Sequence, residues 1–302
     1  MSATLSRLTV GAIGLTCKTF LNIGYCSSVK VNGLENLRRA LRDQERNSGR
    51  GIITVSNHIS TLDDPVTWGV LPASWYFSSR MTRWTLGASD IMFTNPVFSA
   101  FFRKGQVLET FRGNGIFQPA IDTAIQKLNS GDWIHLFSEG KVNQPDIEPS
   151  APRLLKFKWG VGRILMEAKR PPVIIPMWLT GFDKLMPEGR SFPFKYFPRR
   201  GVALSVTFGE PVREADIKAA LESTVSDREF EDVLPLTSKR TADEVRSGTR
   251  SVEGWLGDSP ATSLAKTGDQ EHRAHETARI RSAVTAVLHG EVEALGRRVL
   301  KS

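Results

Sequence analysis

Short apolar runs, separated by longer amphipathic segments, extend through the middle of the chain. Four runs of strand length occur at residues 52–55, 133–137, 173–175 and 202–208. The first three are nearly continuous in apolar side chains, which is typical of strands that are buried on both faces. The fourth alternates apolar with polar side chains, as a strand with one covered face does. The pattern therefore predicts at least four strands.

Two helices are predicted between these strands. Apolar residues recur at helical spacing from Phe117 to Leu128 and stop before Gly131, a common helix-ending signal. A second amphipathic segment covers 157–168 and ends ahead of two prolines. Strands that alternate with helices indicate an α/β fold with a mostly parallel central sheet flanked by helices.

The two ends of the chain differ from this middle. Residues 1–29 contain an apolar stretch that Lys18 and Asn22 interrupt, so it matches a membrane-anchoring helix at the interface better than a spanning helix. A span, a removed targeting segment and a plain core helix are the alternatives. We expect a central domain at 30–212. Residues 213–302 are predicted to form a polar, partly disordered insertion and a C-terminal helix with an apolar stripe between Ile280 and Val299.

Composition limits the choice of partners. The chain has 302 residues, a formal net charge of +8 and ordinary globular hydrophobicity, so an anionic partner fits. The last 90 residues do not share the basic excess, because 213–302 carries 14 Lys/Arg against 16 Asp/Glu. No run of five or more Lys/Arg and no zinc-finger or RNA-binding signature occurs, which argues against nucleic acid. The two cysteines and five histidines have no zinc-site spacing, and we expect no metal and no cofactor.

Two further segments, 75–84 and 192–200, mix aromatic with basic residues. Aromatic rings favour the headgroup level of a bilayer, and Lys and Arg favour anionic lipids. Taken singly, each segment is also compatible with buried rings and solvated charges. Together with the N-terminal stretch, they favour contact with a membrane surface.

The clearest chemical pattern is a histidine and an aspartate separated by four residues, His58 and Asp63. On a regular helix the two side chains would point in different directions, so they must meet through a turn. Pro65 supplies a helix start, with Asp64 as the expected N-cap and His58 and Asp63 in the loop before it. The carboxylate of Asp63 could then fix the imidazole tautomer so that His58 acts as a general base toward a substrate hydroxyl.

The position of this loop fits a site at the sheet edge. His58 follows the strand at 52–55, and residues 138–140 follow the strand at 133–137. In parallel sheets, active sites lie beyond the carboxyl ends of the strands. We therefore expect both loops to face the same rim. His135 lies within the second strand, and we interpret it as a packing residue.

The loop from Asn57 to Pro65 resembles the first signature of the glycerolipid and lysophospholipid acyltransferase superfamily. Residues 105–112, 137–140 and 174–176 resemble its second, third and fourth signatures, in the same order. Within the superfamily, the segments 88–94, 131–135, 140–143 and 157–163 are most similar to the tafazzin family. Ser138 departs from the pattern, because it stands where the family usually has proline.

This resemblance implies CoA-independent transfer of fatty acyl groups between phospholipids and lysophospholipids, as in cardiolipin remodelling. It implies an acyltransferase domain at 30–212, with His58 as base and Asp63 as its orienting group. Arg112, Glu139 and Gly140 are expected to hold the lipid phosphate and glycerol. For Arg112 a surface salt bridge is the alternative, and for Glu139 a helix cap or a loop tie.

The resemblance also implies a peripheral protein of a mitochondrial membrane that faces the intermembrane space. Two alternatives stay open from the residues alone. One is an acyl-CoA-dependent lysophosphatidate or lysophospholipid acyltransferase that uses the same base, and the other is a non-catalytic lipid-binding protein. Neither the acyl-chain preference nor the oligomeric state follows from the sequence.

Overall fold

A seven-stranded sheet forms the centre of the protein in the computed structural model, which describes residues 3–144, 153–226, 254–256 and 270–301. The spatial order of the strands is β1-β7-β6-β2-β5-β3-β4. All neighbouring strands are parallel except β6 and β7, which are antiparallel. The strands are β1 (Ser28–Asn32), β2 (Ile52–Ser56), β3 (Trp84–Ala88), β4 (Val107–Thr110), β5 (Trp133–Phe137), β6 (Val173–Thr180) and β7 (Ala203–Phe208).

Helices cover both faces of this sheet. The described α-helices are α1 (Ala3–Asn22), α2 (Leu34–Arg42), α3 (Asp63–Thr67), α4 (Ser89–Met92), α5 (Pro96–Lys104), α6 (Pro119–Asn129), α7 (Gly160–Met166), α8 (Phe182–Leu185), α9 (Glu214–Ser226) and α10 (Gln270–Lys301). Short 3₁₀ turns join several of them, including one at Ala73–Phe77. The mostly parallel α/β fold predicted from the sequence is therefore confirmed.

Two apolar clusters, one on each face of the sheet, make up the core. Along β2, Ile53 and Val55 belong to the cluster that contains α6, α7, α9 and α10, whereas Ile52 belongs to the cluster on the opposite face. This alternation is the period of two expected of a strand buried on both sides. The site-bearing strand β2 is thus held from both faces, with β5 and β6 as hydrogen-bonded neighbours.

The C-terminal helix α10 packs into the first of these clusters. Ile280, Val284 and Leu288 are buried there together with Leu295, which confirms the apolar stripe predicted from the sequence. Gly296 lies against the ring of Trp178 in β6, where a Cβ atom would come within 2.5 Å of the ring. Of the polar insertion, α9 and residues 254–256 are described, and 227–253 and 257–269 lie outside the described residues.

The N-terminal helix α1 packs on the segment around Trp75 and Tyr76. Its interrupting residue Lys18 turns inward, where Nζ donates to the carbonyl oxygen of Leu71 at 2.9 Å. Leu5 and Leu8 on its other side are exposed. Within the described ranges, no helix combines the length and the apolar character needed to span a membrane. Membrane anchoring by residues 1–29 stays a prediction.

Two local expectations were wrong. Helix α3 begins at Asp63 rather than at Pro65, so Asp63 belongs to its first turn and Asp64 is not its N-cap. The segment 75–84 does not form an exposed aromatic and basic surface, because Trp75, Tyr76 and Arg83 are buried. In contrast, Phe192 and its aromatic neighbours in 192–197 are exposed.

Candidate active site

His58 and Asp63 meet at the carboxyl end of β2, as the sequence predicts. The distance from His58 Nδ1 to Asp63 Oδ2 is 2.9 Å. The turn that joins them closes through a hydrogen bond from the Asp63 N–H to the carbonyl of Ser60. His58 is about one-fifth exposed, and its Nε2 makes no hydrogen bond within the part of the chain that the structure describes. The free imidazole nitrogen is therefore available to a substrate.

The carboxylate of Asp63 is fixed by three donors. Besides the imidazole, Oδ2 accepts hydrogen bonds from the backbone N–H of Ile59 at 2.6 Å and of Ser60 at 2.8 Å. Burial raises the pKa of Asp63, while the hydrogen bond and the charge of His58 oppose that rise. Because Oδ2 accepts from Nδ1, the imidazole proton sits on Nδ1 and the lone pair on Nε2. This is the tautomer that a general base requires.

An aromatic ring supports the imidazole from the side. The ring of Phe137, the last residue of β5, stacks on His58 with centroids 4.4 Å apart and an angle of 30° between the planes. Phe137 also contacts the ring of His135, with centroids 4.4 Å apart and nearly perpendicular planes. The stack restricts rotation of the His58 ring and leaves its in-plane hydrogen bond to Asp63 intact.

His135 is buried beneath the site and is confirmed as a structural residue. Its Nδ1 lies 2.8 Å from Thr54 Oγ1, and its Nε2 lies 3.4 Å from Ser56 Oγ. Thr54 Oγ1 accepts from Trp133 Nε1, and Ser56 Oγ donates to the carbonyl of Asn57. All the hydrogen bonds of this network of Trp133, Thr54, His135 and Ser56 are satisfied when His135 is neutral with its proton on Nε2. Burial lowers the pKa of His135 to about 3, so its ring stays neutral at neutral pH.

Glu139 ties the His58 loop to the loop after β5. Its Oε1 accepts from the backbone N–H of His58 at 2.7 Å, and its Oε2 accepts from the N–H of Leu155 at 2.9 Å and from Asn143 Nδ2 at 3.2 Å. The Asn143 N–H in turn donates to the His58 carbonyl at 2.7 Å. Both sides of the His58 residue are thus clamped, and burial raises the pKa of the Glu139 carboxyl.

The other residues expected to bind substrate occupy different places on the rim. Gly140 is exposed beside this clamp, with φ of 75° in the left-handed region that favours glycine. Arg112 follows β4, three strands from β2, and is half exposed with Nη1 3.2 Å from Asp90 Oδ2. At about 4.8 Å per strand, it lies roughly 14 Å along the edge from the base. Glu139 and Gly140 adjoin His58, and Arg112 does not contact it.

Asp64 has a structural role beside His58 and Asp63. It forms an ion pair with Arg83 and accepts a hydrogen bond from Trp68 Nε1 at 3.0 Å. Burial alone would raise the pKa of Asp64, but the charge and hydrogen bonds of Arg83 lower it overall. Asn57 has a comparable role on the other side, since its amide exchanges two hydrogen bonds with the backbone of Leu179 in β6. Sequence reasoning missed both ties, because their partners lie far away along the chain.

Comparison with known proteins agrees with this geometry. A family model described as acyltransferase matches residues 28–180, which include His58, Asp63 and Glu139. The chain belongs to the acyltransferase family. It is an enzyme of the acyl-transfer class, and the non-catalytic alternative is thereby set aside.

Three relatives place the chain within this family. A protein named taffazin from Dictyostelium discoideum is 33% identical over 82% of this chain and 84% of its own length. Tafazzin from Drosophila melanogaster is 38% identical over 69% of this chain, a match that spans 51% of the fly protein. An N-acylphosphatidylethanolamine synthase from Arabidopsis thaliana is 36% identical over 72% of this chain and 73% of its own length.

A similar solved structure is that of the 1-acyl-sn-glycerophosphate acyltransferase PlsC from Thermotoga maritima. It is 20% identical, covers 76% of this chain and 81% of its own, and has a TM-score of 0.47.

The resemblance to the tafazzin family inferred from the sequence is confirmed by the curated relatives.

Proposed function

We propose that this acyltransferase moves fatty acyl groups directly between phospholipids and lysophospholipids, without CoA. The observation that carries the proposal is the free Nε2 of His58, oriented by Asp63 at the open rim of the sheet. Lipids on both sides of the reaction, including cardiolipin and its lyso form, are what the resemblance to the tafazzin family implies.

The proposed reaction uses the acceptor hydroxyl as nucleophile. His58 Nε2 removes the hydroxyl proton of the lysophospholipid as its oxygen forms a bond to the acyl carbonyl carbon of the donor phospholipid. The resulting imidazolium is stabilised by the Asp63 carboxylate. The ester bond between the acyl carbon and the donor glycerol oxygen then breaks, and His58 returns the proton to that oxygen. The products are one phospholipid and one new lysophospholipid, so no external acyl carrier is consumed.

The cysteines offer no alternative nucleophile at neutral pH. Burial raises the pKa of Cys17, which lies on α1, to about 11, so its thiol stays protonated. Cys26 is also buried, and burial raises its pKa. Direct transfer to the acceptor hydroxyl therefore fits the site better than an acyl-cysteine intermediate.

Substrate positioning is proposed to involve both parts of the rim. Arg112 would contact a lipid phosphate through its planar donor fork, exchanging its exposed pairing with Asp90. Gly140 is exposed and would present its backbone to the glycerol, while the space beside its Cα is taken by the stem of Lys158. Because both oxygens of Glu139 already accept hydrogen bonds from the chain, we favour its contribution as the tie that holds the Gly140 turn beside His58.

A donor and acceptor assay tests the proposal. Purified protein is given a phosphatidylcholine with a labelled acyl chain and an unlabelled lysophospholipid, and in parallel labelled acyl-CoA with the same acceptor. We expect label to move from phosphatidylcholine without CoA, and His58→Ala to lower the rate by about 10²–10⁴-fold. His275→Ala, an exposed histidine of α10, is the matched control. Transfer from acyl-CoA alone would contradict CoA independence and favour the acyl-CoA-dependent alternative.

The same assay separates hydroxyl from amine acceptors. The Arabidopsis relative is named for an N-acylated product, so phosphatidylethanolamine is included as a second acceptor. An alkali-labile ester product supports the proposed function. An alkali-stable amide as the main product would show that the acceptor is an amine and would refute it.

We also propose that the protein works at the surface of a mitochondrial membrane. The loop at 192–197 exposes four aromatic side chains next to Lys195, Arg199 and Arg200, and α1 and α5 expose Leu8 and Val97. Such side chains suit the headgroup level of anionic bilayers. Replacing Phe192 and Phe194 with Ser should reduce co-sedimentation with cardiolipin-containing vesicles. Unchanged co-sedimentation would exclude this loop from the contact, and fractionation of cells tests the location.

A further inference from the structure

Three exposed lysines lie on the two chain segments that meet at the turn of Glu139 and Gly140. Lys141 follows the turn directly, and Lys156 and Lys158 lie in the segment that runs beside it. None of the three has a carboxylate within ion-pairing distance among the described residues. Among the described residues, this cluster is therefore a local excess of positive charge near His58.

Lys158 is held against the turn by backbone and side-chain contacts. Its N–H donates to the carbonyl of Ser138 at 2.8 Å, and three residues earlier the Leu155 N–H donates to Glu139 Oε2. Its stem lies over Gly140, where a Cβ atom would be 3.1 Å from Lys158 Cγ and 3.2 Å from Cε. Glu139 accepts a hydrogen bond from the His58 N–H, so the single turn at 138–140 connects Lys158 to His58.

The reaction requires two anionic groups to be accommodated near His58. Each phospholipid carries a phosphate, and the acceptor phosphate is only a few bonds from the hydroxyl that His58 deprotonates. Glu139 cannot bind a phosphate, because it is an acidic group with both oxygens engaged by the chain. Arg112 can hold one phosphate, but it lies three strands from β2 and faces Asp90.

We propose that Lys158, assisted by Lys141, binds the phosphate of the acceptor lysophospholipid and thereby sets its hydroxyl against His58. This inference rests on the proposed acyl transfer to a lysophospholipid. Lysine suits the task because its ammonium is a point charge on a flexible stem, able to follow a phosphodiester. The bare Cα of Gly140 leaves room for that stem, and any larger residue there would displace it.

A binding experiment with soluble short-chain lipids tests this role without a membrane. The probes are hexanoyl-lysophosphatidylglycerol, which has the phosphate, and hexanoylglycerol, which lacks it, titrated into the His58→Ala protein. Lys158→Met removes the charge and keeps a stem of similar shape over Gly140. We expect it to weaken binding of the phosphate-bearing probe by about tenfold, a typical loss for one charge-assisted hydrogen bond, and to leave the neutral probe unaffected.

Kinetics of the otherwise unaltered enzyme provide the second measurement. Lys158→Met should raise KM for lysophosphatidylglycerol by about tenfold with kcat changed less than twofold, and Lys141→Met should have a smaller effect in the same direction. The matched control is Lys30→Met, an exposed lysine of β1 at the far edge of the sheet.

The outcomes distinguish this inference from the proposed function. Equal weakening of both probes, or no weakening of either, would refute the phosphate contact even if wild-type protein transfers acyl groups normally. Absence of transfer by wild-type protein would instead refute the proposed function. A phosphate-specific loss in Lys158→Met that Lys30→Met does not share supports the assignment.

Discussion

Replacing Asp63 with Asn removes one charge from the proposed catalytic pair, His58 and Asp63, while keeping its shape. In the wild type, Oδ2 accepts from His58 Nδ1 and from the N–H groups of Ile59 and Ser60. The amide oxygen of Asn can accept the same three hydrogen bonds. The variant therefore retains the turn and loses the attraction between the carboxylate and the imidazolium that forms when His58 takes the proton.

The size of that loss follows from the geometry. The hydrogen-bonded atoms are 2.9 Å apart, which places the two charge centres about 4 Å from each other. At an effective dielectric constant of about 20, the attraction is about 4 kcal/mol. A barrier raised by about 4 kcal/mol lowers the rate by roughly 10³-fold.

The measurement is the initial rate of acyl transfer with a fixed donor and acceptor, together with a thermal melt of each protein. We expect Asp63→Asn to lose roughly 10³-fold in kcat and a modest amount in melting temperature, because its amide NH₂ takes the buried place of Oδ1, which has no hydrogen-bond partner among the described residues. Asp63→Ala should lower both, because it also frees the two backbone N–H groups. If Asp63→Asn keeps its rate within tenfold of wild type, the charge of Asp63 does not support catalysis and the reasoning fails.

Three further predictions concern residues around the pair. Glu139→Gln places an amide NH₂ against the donors of Leu155 and Asn143, so it should reduce the free energy of unfolding by about 1–3 kcal/mol and lower kcat more than it changes KM. Denaturant titration and steady-state kinetics measure these two effects. An effect on KM alone would favour a substrate contact instead. Burial lowers the pKa of His135 from 6.5 to about 3, so the neutral ring contributes its full stability above pH 6.5 and loses it as the pH falls. Between pH 7.5 and 5, the free energy of unfolding of the wild type should therefore fall by about 2 kcal/mol more than that of His135→Gln. Equal pH dependence of the two proteins would refute this prediction. The buried hydroxyl of Ser138 has no hydrogen-bond partner in the described structure. Ser138→Ala should therefore raise the free energy of unfolding by up to about 1 kcal/mol and leave activity unchanged. A less stable variant would show that the hydroxyl is needed.

The strongly apolar strands were predictable, and the edge strands were not. β2 and β5 are almost wholly buried, so their runs of apolar residues are clear in the sequence. β1 and β4 are short and half exposed, and their mixed composition gives no such signal. The sequence pattern indicated that the strand starting at Val173 stops before Pro176, but β6 continues past it. Pro176 lies in register with Val55, and its carbonyl still accepts a hydrogen bond from the Gly209 N–H, so the proline does not end the strand.

The catalytic pair was predictable for a different reason. His58 and Asp63 are close in sequence, and a turn is the only local way for them to meet, so their hydrogen bond follows from spacing and chemistry. The role of Glu139 could not be found in this way. Besides the side chain of Asn143, its partners are the backbone N–H groups of His58, 81 residues earlier, and of Leu155, 16 residues later. Backbone donors leave no side-chain signature, so only the fold reveals the clamp.

The position of α10 has a consequence for biosynthesis. This last helix packs on β2 and β6 through Ile280, Val284 and Leu288, and β2 leads directly to His58. Helix α10 begins at Gln270, far along the chain from β2, so the apolar face behind β2 stays uncovered until α10 has been synthesised and has docked. A chain truncated after residue 212 would therefore keep His58, Asp63 and Glu139 and leave this part of the core open.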